Sequence, residues 1–157
     1  MVDAFGCARI TDFGLAQDQR TVEETEITSV GTARWTAPEI LEDKGTLSKE
    51  ADVFSFAMVM VEVSRDNPMT TGGQRTTNHL YISIKVFTGA APFDLQPSIA
   101  ATVAIMQRGR PPRPTHPTLT DELWRLMQHC WNQEPHLRLE MSEVLQVLYR
   151  QLAPFVP

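Results

Sequence analysis

The stretch DFGLAQDQRTVEETEITSVGTARWTAPE, Asp12 to Glu39, decides how the rest of the chain is read. It opens on Asp12-Phe13-Gly14 and closes on Ala37-Pro38-Glu39. Between them, Leu15 to Thr36 sets Asp18, Glu23, Glu24 and Glu26 against Arg20 and Arg34. Apolar residues are few there and follow no period, which predicts a surface loop. Pro38 suits the first turn of a short helix from Glu39 to Glu42, because it lacks the N–H that a helix start leaves unpaired. Gly45 then ends that helix.

Working outward, Gly6 marks a turn and Ala8-Arg9-Ile10-Thr11 alternates like a strand, so residues 2–14 read as a short hairpin and turn. On the other side, Ser48 can cap a helix. Its body, ADVFSFAMVMVEV at residues 51–63, has only Asp52, Ser55 and Glu62 as polar members. A helix apolar nearly all round is a buried one. Residues 64–85 break this pattern with Asn67-Pro68 and Gly72-Gly73. Ser98 then caps a helix to about Gln107, with Ile99, Val103 and Met106 on one face and Gly109 as its stop. Pro111, Pro112, Pro114 and Pro117 predict an extended loop. Thr120 caps a helix whose stripe is Leu123, Leu126, Met127, Cys130 and Trp131. A last helix carries Met141, Val144, Leu145, Leu148, Tyr149 and Leu152.

Composition narrows the class. A chain of 157 residues is long enough for one domain with a core. Hydrophobic and charged fractions of 42% and 21% are ordinary for a globular protein. A net charge of −5 argues against a nucleic-acid surface. The basic run Arg108, Arg110 and Arg113, broken by prolines, reads as a solvated loop. Cys7 and Cys130 suggest no disulfide framework, which fits a reducing, cytoplasmic setting. The apolar run Ala57 to Val61 is too short to span a bilayer, and the N-terminus lacks a signal pattern.

DFG and APE in this order, at this distance, with Gly31-Thr32 shortly before Ala37, form a specific combination. The chain resembles the C-terminal lobe of a eukaryotic protein kinase, of the tyrosine-kinase-like serine/threonine type. The resemblance implies a mainly α fold, a C-lobe fragment with a short residual β-hairpin and an activation segment, over residues 1–153. It implies ATP-dependent phosphorylation of serine or threonine in a protein substrate, with ATP and magnesium as cofactors. On it, Asp12, Phe13 and Gly14 border the cofactor, and Asp12 holds magnesium. Thr25, Thr28 and Ser29 are candidate phosphoacceptors of the activation segment; for any single one, an unmodified loop hydroxyl is the plainer reading. Thr32 matches the threonine that hydrogen-bonds the catalytic base. Trp35 and Thr36 match the wall of the pocket for the substrate residue after the phosphoacceptor, with core packing the alternative for Trp35. Glu39 and Arg138 match a buried ion pair tying the activation segment to the lobe. Asp52 matches the central-helix carboxylate that accepts hydrogen bonds from the catalytic loop. Without that loop it is either desolvated, with a raised pKa, or simply solvated. Leu139 and Glu140 stand where the family usually has proline and a hydroxyl residue, which predicts a less sharply defined start for the last helix.

The departures matter as much. No G-x-G-x-x-G occurs. Thr102-Val103-Ala104-Ile105 mimics the context of the ATP-anchoring lysine, but Met106 stands in its place. No His-Arg-Asp occurs, and Thr71 stands where the second magnesium-binding asparagine would follow Arg65-Asp66. The resemblance therefore implies that the chain begins just after the catalytic loop, and the expectation is no phosphotransfer by these residues alone. Two other readings stand beside it: a non-catalytic, kinase-derived interaction module, and an incomplete reading of a longer gene. The segment at 63–85 delays the loop Thr88-Gly89-Ala90-Ala91-Pro92-Phe93. Either it is a loop insertion, which surface loops tolerate, or it is a translated intron. GTGAGT can encode Val63-Ser64, ACTAAC can encode Thr77-Asn78, and the Lys85 codon can end in AG. A mature transcript retaining these codons would refute the intron.

Overall fold

A computed structural model of the chain describes residues 9–10, 33–42, 47–62, 91–116 and 119–152. Of the expected hairpin only Arg9 and Ile10 are described, exposed and in no regular element, while its other residues, the stretch from Asp12 to Thr32, Gly45 and the segment at 63–85 lie outside the described residues. Within them the fold is helical, with α1 (Pro38–Leu41), α2 (Lys49–Glu62), α3 (Ser98–Met106), α4 (Asp121–Cys130) and α5 (Met141–Leu152). A short 3-10 turn, Pro135–Leu137, precedes α5.

The middle of the molecule is α2. The Ser48 hydroxyl accepts the Ala51 N–H at 3.1 Å and so caps its start. Ala51, Val53, Phe54, Ala57, Met58, Met60 and Val61 are all buried. Beyond the exposed Lys49 and Glu50 of its first turn, Asp52 and Val59 are its exposed residues among those described, so the apolar composition of α2 follows from neighbours on nearly every side. It packs against α4 and the 3-10 turn; α4 in turn packs on α5, and α1 on α3. From α4, Leu126, Met127 and Cys130 enter the core, followed by Trp131. Burial in this apolar setting pushes the Cys130 thiol up to about 12.

Three local expectations need correction. Ser98 does not cap α3: it is the first helical residue, preceded by Pro97, and its carbonyl accepts the Thr102 hydroxyl at 3.0 Å. The face carrying Ile99, Val103 and Met106 is the outward one, and α3 buries Ala101 and Ile105 instead. The start of α5 is sharp. The Glu143 carboxylate accepts the Glu140 N–H at 2.9 Å, the reach-back half of a capping box. The buried edge of α5 is Val144 with Val147 and Leu148, while Met141, Leu145 and Tyr149 stay exposed.

Candidate functional site

The site is built where α1, the start of α2 and the turn before α5 meet. Ala37 and Pro38 are buried, so the chain enters α1 against the core, with Pro38 at its first turn. Glu39 follows and points at Arg138. The two side chains lie fork to fork, with Nη1–Oε1 and Nη2–Oε2 both 2.7 Å. Arg138 also donates to the carbonyls of Asn132 and Glu50, each at 2.8 Å. Its side chain is wholly shielded, whereas that of Glu39 is 19% exposed. A shielded guanidinium is tolerable only with such a full set of acceptors. Phe54 contributes too: the guanidinium carbons of Arg138 and Arg110 each sit 5.1 Å from its ring centroid.

Trp35 and Thr36 sit in the turn before α1, half-buried, with Trp35 packed on the core. The Ser55 hydroxyl of α2 reaches the Trp35 carbonyl at 2.8 Å and the Ala51 carbonyl at 3.1 Å, which ties this turn to the central helix. Asp52 is one turn into α2 and exposed. Protein mass around it nonetheless desolvates the carboxyl and raises its pKa above the usual 3.8. Asp12, Phe13, Gly14, Thr25, Thr28, Ser29 and Thr32 lie outside the described residues.

Two arginines were not singled out from the sequence as functional. Arg34 donates through Nη1 to the carbonyls of Pro92, at 2.9 Å, and Phe93, and through Nη2 to that of Gln96. It thereby clamps the turn before α3, where Phe93 has the left-handed φ of 58°. Arg110, expected in a solvated loop, is instead half-buried and bonded to four acceptors. Carbonyl partners leave no mark in a sequence; the one signal was a cation beside Trp35 and another beside a buried proline.

Among the described residues, no three His, Cys, Asp or Glu side chains converge on a metal position. Glu39 is committed to Arg138, and Asp52 stands apart. Asp12, the residue expected to face magnesium, lies outside the described residues, and no chemical step is derived through a magnesium–nucleotide site.

The model of the family described as protein tyrosine and serine/threonine kinase matches residues 1–148. The chain belongs to this protein kinase family. Serine/threonine-protein kinase STY17 of Arabidopsis thaliana is 32% identical over 151 residues, covering 94% of this chain and 21% of that protein. A probable serine/threonine-protein kinase of Dictyostelium discoideum is 28% identical over 149 residues, covering 94% and 13%. Serine/threonine-protein kinase STY46 of Arabidopsis thaliana is 30% identical over 153 residues, covering 94% and 21%. The kinase chain thus spans less than a quarter of each of these relatives. No helix among its described residues is long and apolar enough to cross a membrane.

Proposed function

We propose that residues 1–153 are the C-terminal part of a serine/threonine kinase domain, interrupted at about 63–85, and that these 157 residues alone do not transfer phosphate. The observation that supports the reading best is the Glu39–Arg138 fork, which holds the end of the segment carrying Trp35 and Thr36 down on the helical body. In this reading Trp35 and Thr36 form the floor on which a protein substrate lies. Thr32 takes the place of the threonine that hydrogen-bonds the catalytic base, a partner these residues do not supply, and Thr25, Thr28 and Ser29 are candidate sites of activating phosphorylation. Asp12, with Phe13 and Gly14, is the magnesium-facing edge. ATP supplies the phosphoryl group and magnesium neutralises its charge in this family's chemistry. Positioning accounts for much of such catalysis, and the chain supplies neither the glycine-rich cover nor the base.

The test is a radiolabelled-ATP assay with a generic protein substrate. The expected result is no transfer above that of the Asp12→Asn chain. Robust transfer abolished by Asp12→Asn would overturn the predicted incompetence. Reading the gene upstream of Met1 tests the family activity: an in-frame His-Arg-Asp segment, expressed with these residues, is expected to restore transfer. An extended chain of that kind without activity would overturn the kinase assignment of function.

A further inference from the structure

A pocket of about 460 Å³ opens between the loop after α3 and the outer face of α4, lined by Arg108, Arg110, Arg113, Trp124, Trp131 and Asn132 among others. That volume suits a small ligand or one large side chain. Its walls carry donors whose local acceptors are already used. The Asn132 side-chain oxygen accepts the Glu134 N–H at 3.0 Å, which leaves its amide nitrogen as a donor. The Gln133 side-chain oxygen accepts from Arg110 at 2.8 Å. All four hydrogen bonds of Arg110 go to uncharged oxygens: the carbonyls of Trp131, Gly109 and Ile105, and the Gln133 amide. Burial pushes the Arg110 guanidinium down to about 10, and the nearby charges of Arg138 and Arg108 push the same way. Positive charge at this spot is under-compensated, although Glu39 offsets part of it.

The two remaining cations are held loosely. Arg108 meets Glu134 at 3.2 Å with side chains 71% and 47% exposed. Arg113 meets Asp121 at 2.6 Å with 42% and 75% exposed, its one other acceptor among the described residues being the Leu119 carbonyl at 3.3 Å. Pairs this open contribute little to stability, so both guanidiniums can turn to a better anion. A dianion would attract them more strongly than either single carboxylate does. Flat apolar surface lies alongside: Trp124 and Trp131 pack edge to face with centroids 5.3 Å apart, next to buried Pro111.

We propose that this pocket binds a phosphorylated side chain of a polypeptide, with the phosphoryl oxygens on Arg108, Arg113 and the edge of Arg110 and the flanking residues against Trp124. The proposal needs no phosphotransfer by this chain, so its failure and that of the kinase reading are separable. The test is fluorescence anisotropy of a labelled phosphoserine peptide, beside its serine twin, added to the whole 157-residue chain. Competing inorganic phosphate and adenosine monophosphate identify the source of the oxyanion. The phosphopeptide is expected to bind at least about tenfold tighter than its twin, and tighter than either competitor. The Arg108→Gln/Arg113→Gln chain is expected to lose about tenfold in affinity while keeping its helical circular dichroism. Equal binding of the two peptides, or unchanged binding by the double variant, would overturn the proposal. So would a preference for the nucleotide, or a phosphopeptide that binds no better than inorganic phosphate.

Discussion

Arg138 is a cation with no exposed side-chain surface, and everything around it is arranged to make that bearable. Three backbone carbonyls, those of Asn132, Gln133 and Glu50, one carboxylate fork and the Phe54 ring share its charge. Removing Glu39 leaves the charge shielded from water and without the carboxylate that forks onto it. Glu39→Ala is expected to cost about 3–5 kcal/mol, nearer the lower end because Glu39 keeps some contact with solvent. Urea unfolding measures it, and Glu39→Gln, which retains a hydrogen-bond acceptor, is expected to lose less. A loss below about 1 kcal/mol would mean the pair is no stronger than a surface one. Asp52 works in the opposite sense, because its pKa is raised on folding, through desolvation. Such a carboxyl holds its proton more readily when folded. Its stabilising contribution is therefore full below the unfolded value and is lost as pH rises through the folded one. Relative to Asp52→Asn, the native chain is expected to gain stability as pH falls toward 3.8. A pH series of paired melting curves reads this directly. A difference moving the other way would mean that the folded carboxylate has found donors.

At the scale of the element, the end of α3 shows how much depends on one missing side chain. The Gly109 N–H reaches the Ala104 carbonyl at 2.6 Å, and the Arg108 N–H reaches that of Ile105 at 3.1 Å. This is the paired closure of a Schellman motif, but Arg108, with φ 67°, takes the left-handed position usually given to glycine. The glycine is needed one residue later, where an added Cβ would sit 2.8 Å from the Ala104 oxygen. Gly109→Ala is expected to destabilise by roughly 1–3 kcal/mol, as over-packing against a fixed backbone does. A chain melting unchanged would show that the turn can shift. The same helix shows where sequence reading stops. Helix positions were legible because caps and apolar spacing are local. Which face turns inward was not, because Ile99, Val103 and Met106 share a face whether or not a neighbour covers it. They are 75%, 44% and 37% exposed. In α5 the apolar surplus at Met141, Leu145 and Tyr149 blurred the stripe in the same way. Glu143, three residues after Glu140, did carry a start signal for α5. The Glu39–Arg138 pair spans 99 positions, and only family resemblance names it in the sequence. Arg34 and Arg110 bond mainly to carbonyl oxygens, which every residue possesses.

For the whole molecule, the distribution of buried side chains sets which parts open together. The core runs through α2, α4 and the start of α5, with Phe54, Met58, Met127, Cys130 and Val144 fully covered. With α2 packed on both α4 and the 3-10 turn, and Phe54 and Met58 fully covered, these elements form one unit. By contrast, α3 commits only Ala101 and Ile105 to burial. It is otherwise tethered at its ends, by the Arg34 clamp on the preceding turn and by Arg110 and Gln133 at its last turn. Elements with few buried apolar contacts open at lower free energy than the global transition. Native-state hydrogen exchange is therefore expected to show the central amides of α2 and α4 exchanging only through global unfolding, with those of α3 at least about tenfold faster. Substituting Arg34→Ala should speed α3 further and leave α2 unchanged, because the clamp is a separate set of bonds from the core. If α3 exchanged as slowly as α2, the tethers would have to carry as much free energy as the core itself. The division of this fold into a packed centre and a separately opening outer helix would then fail.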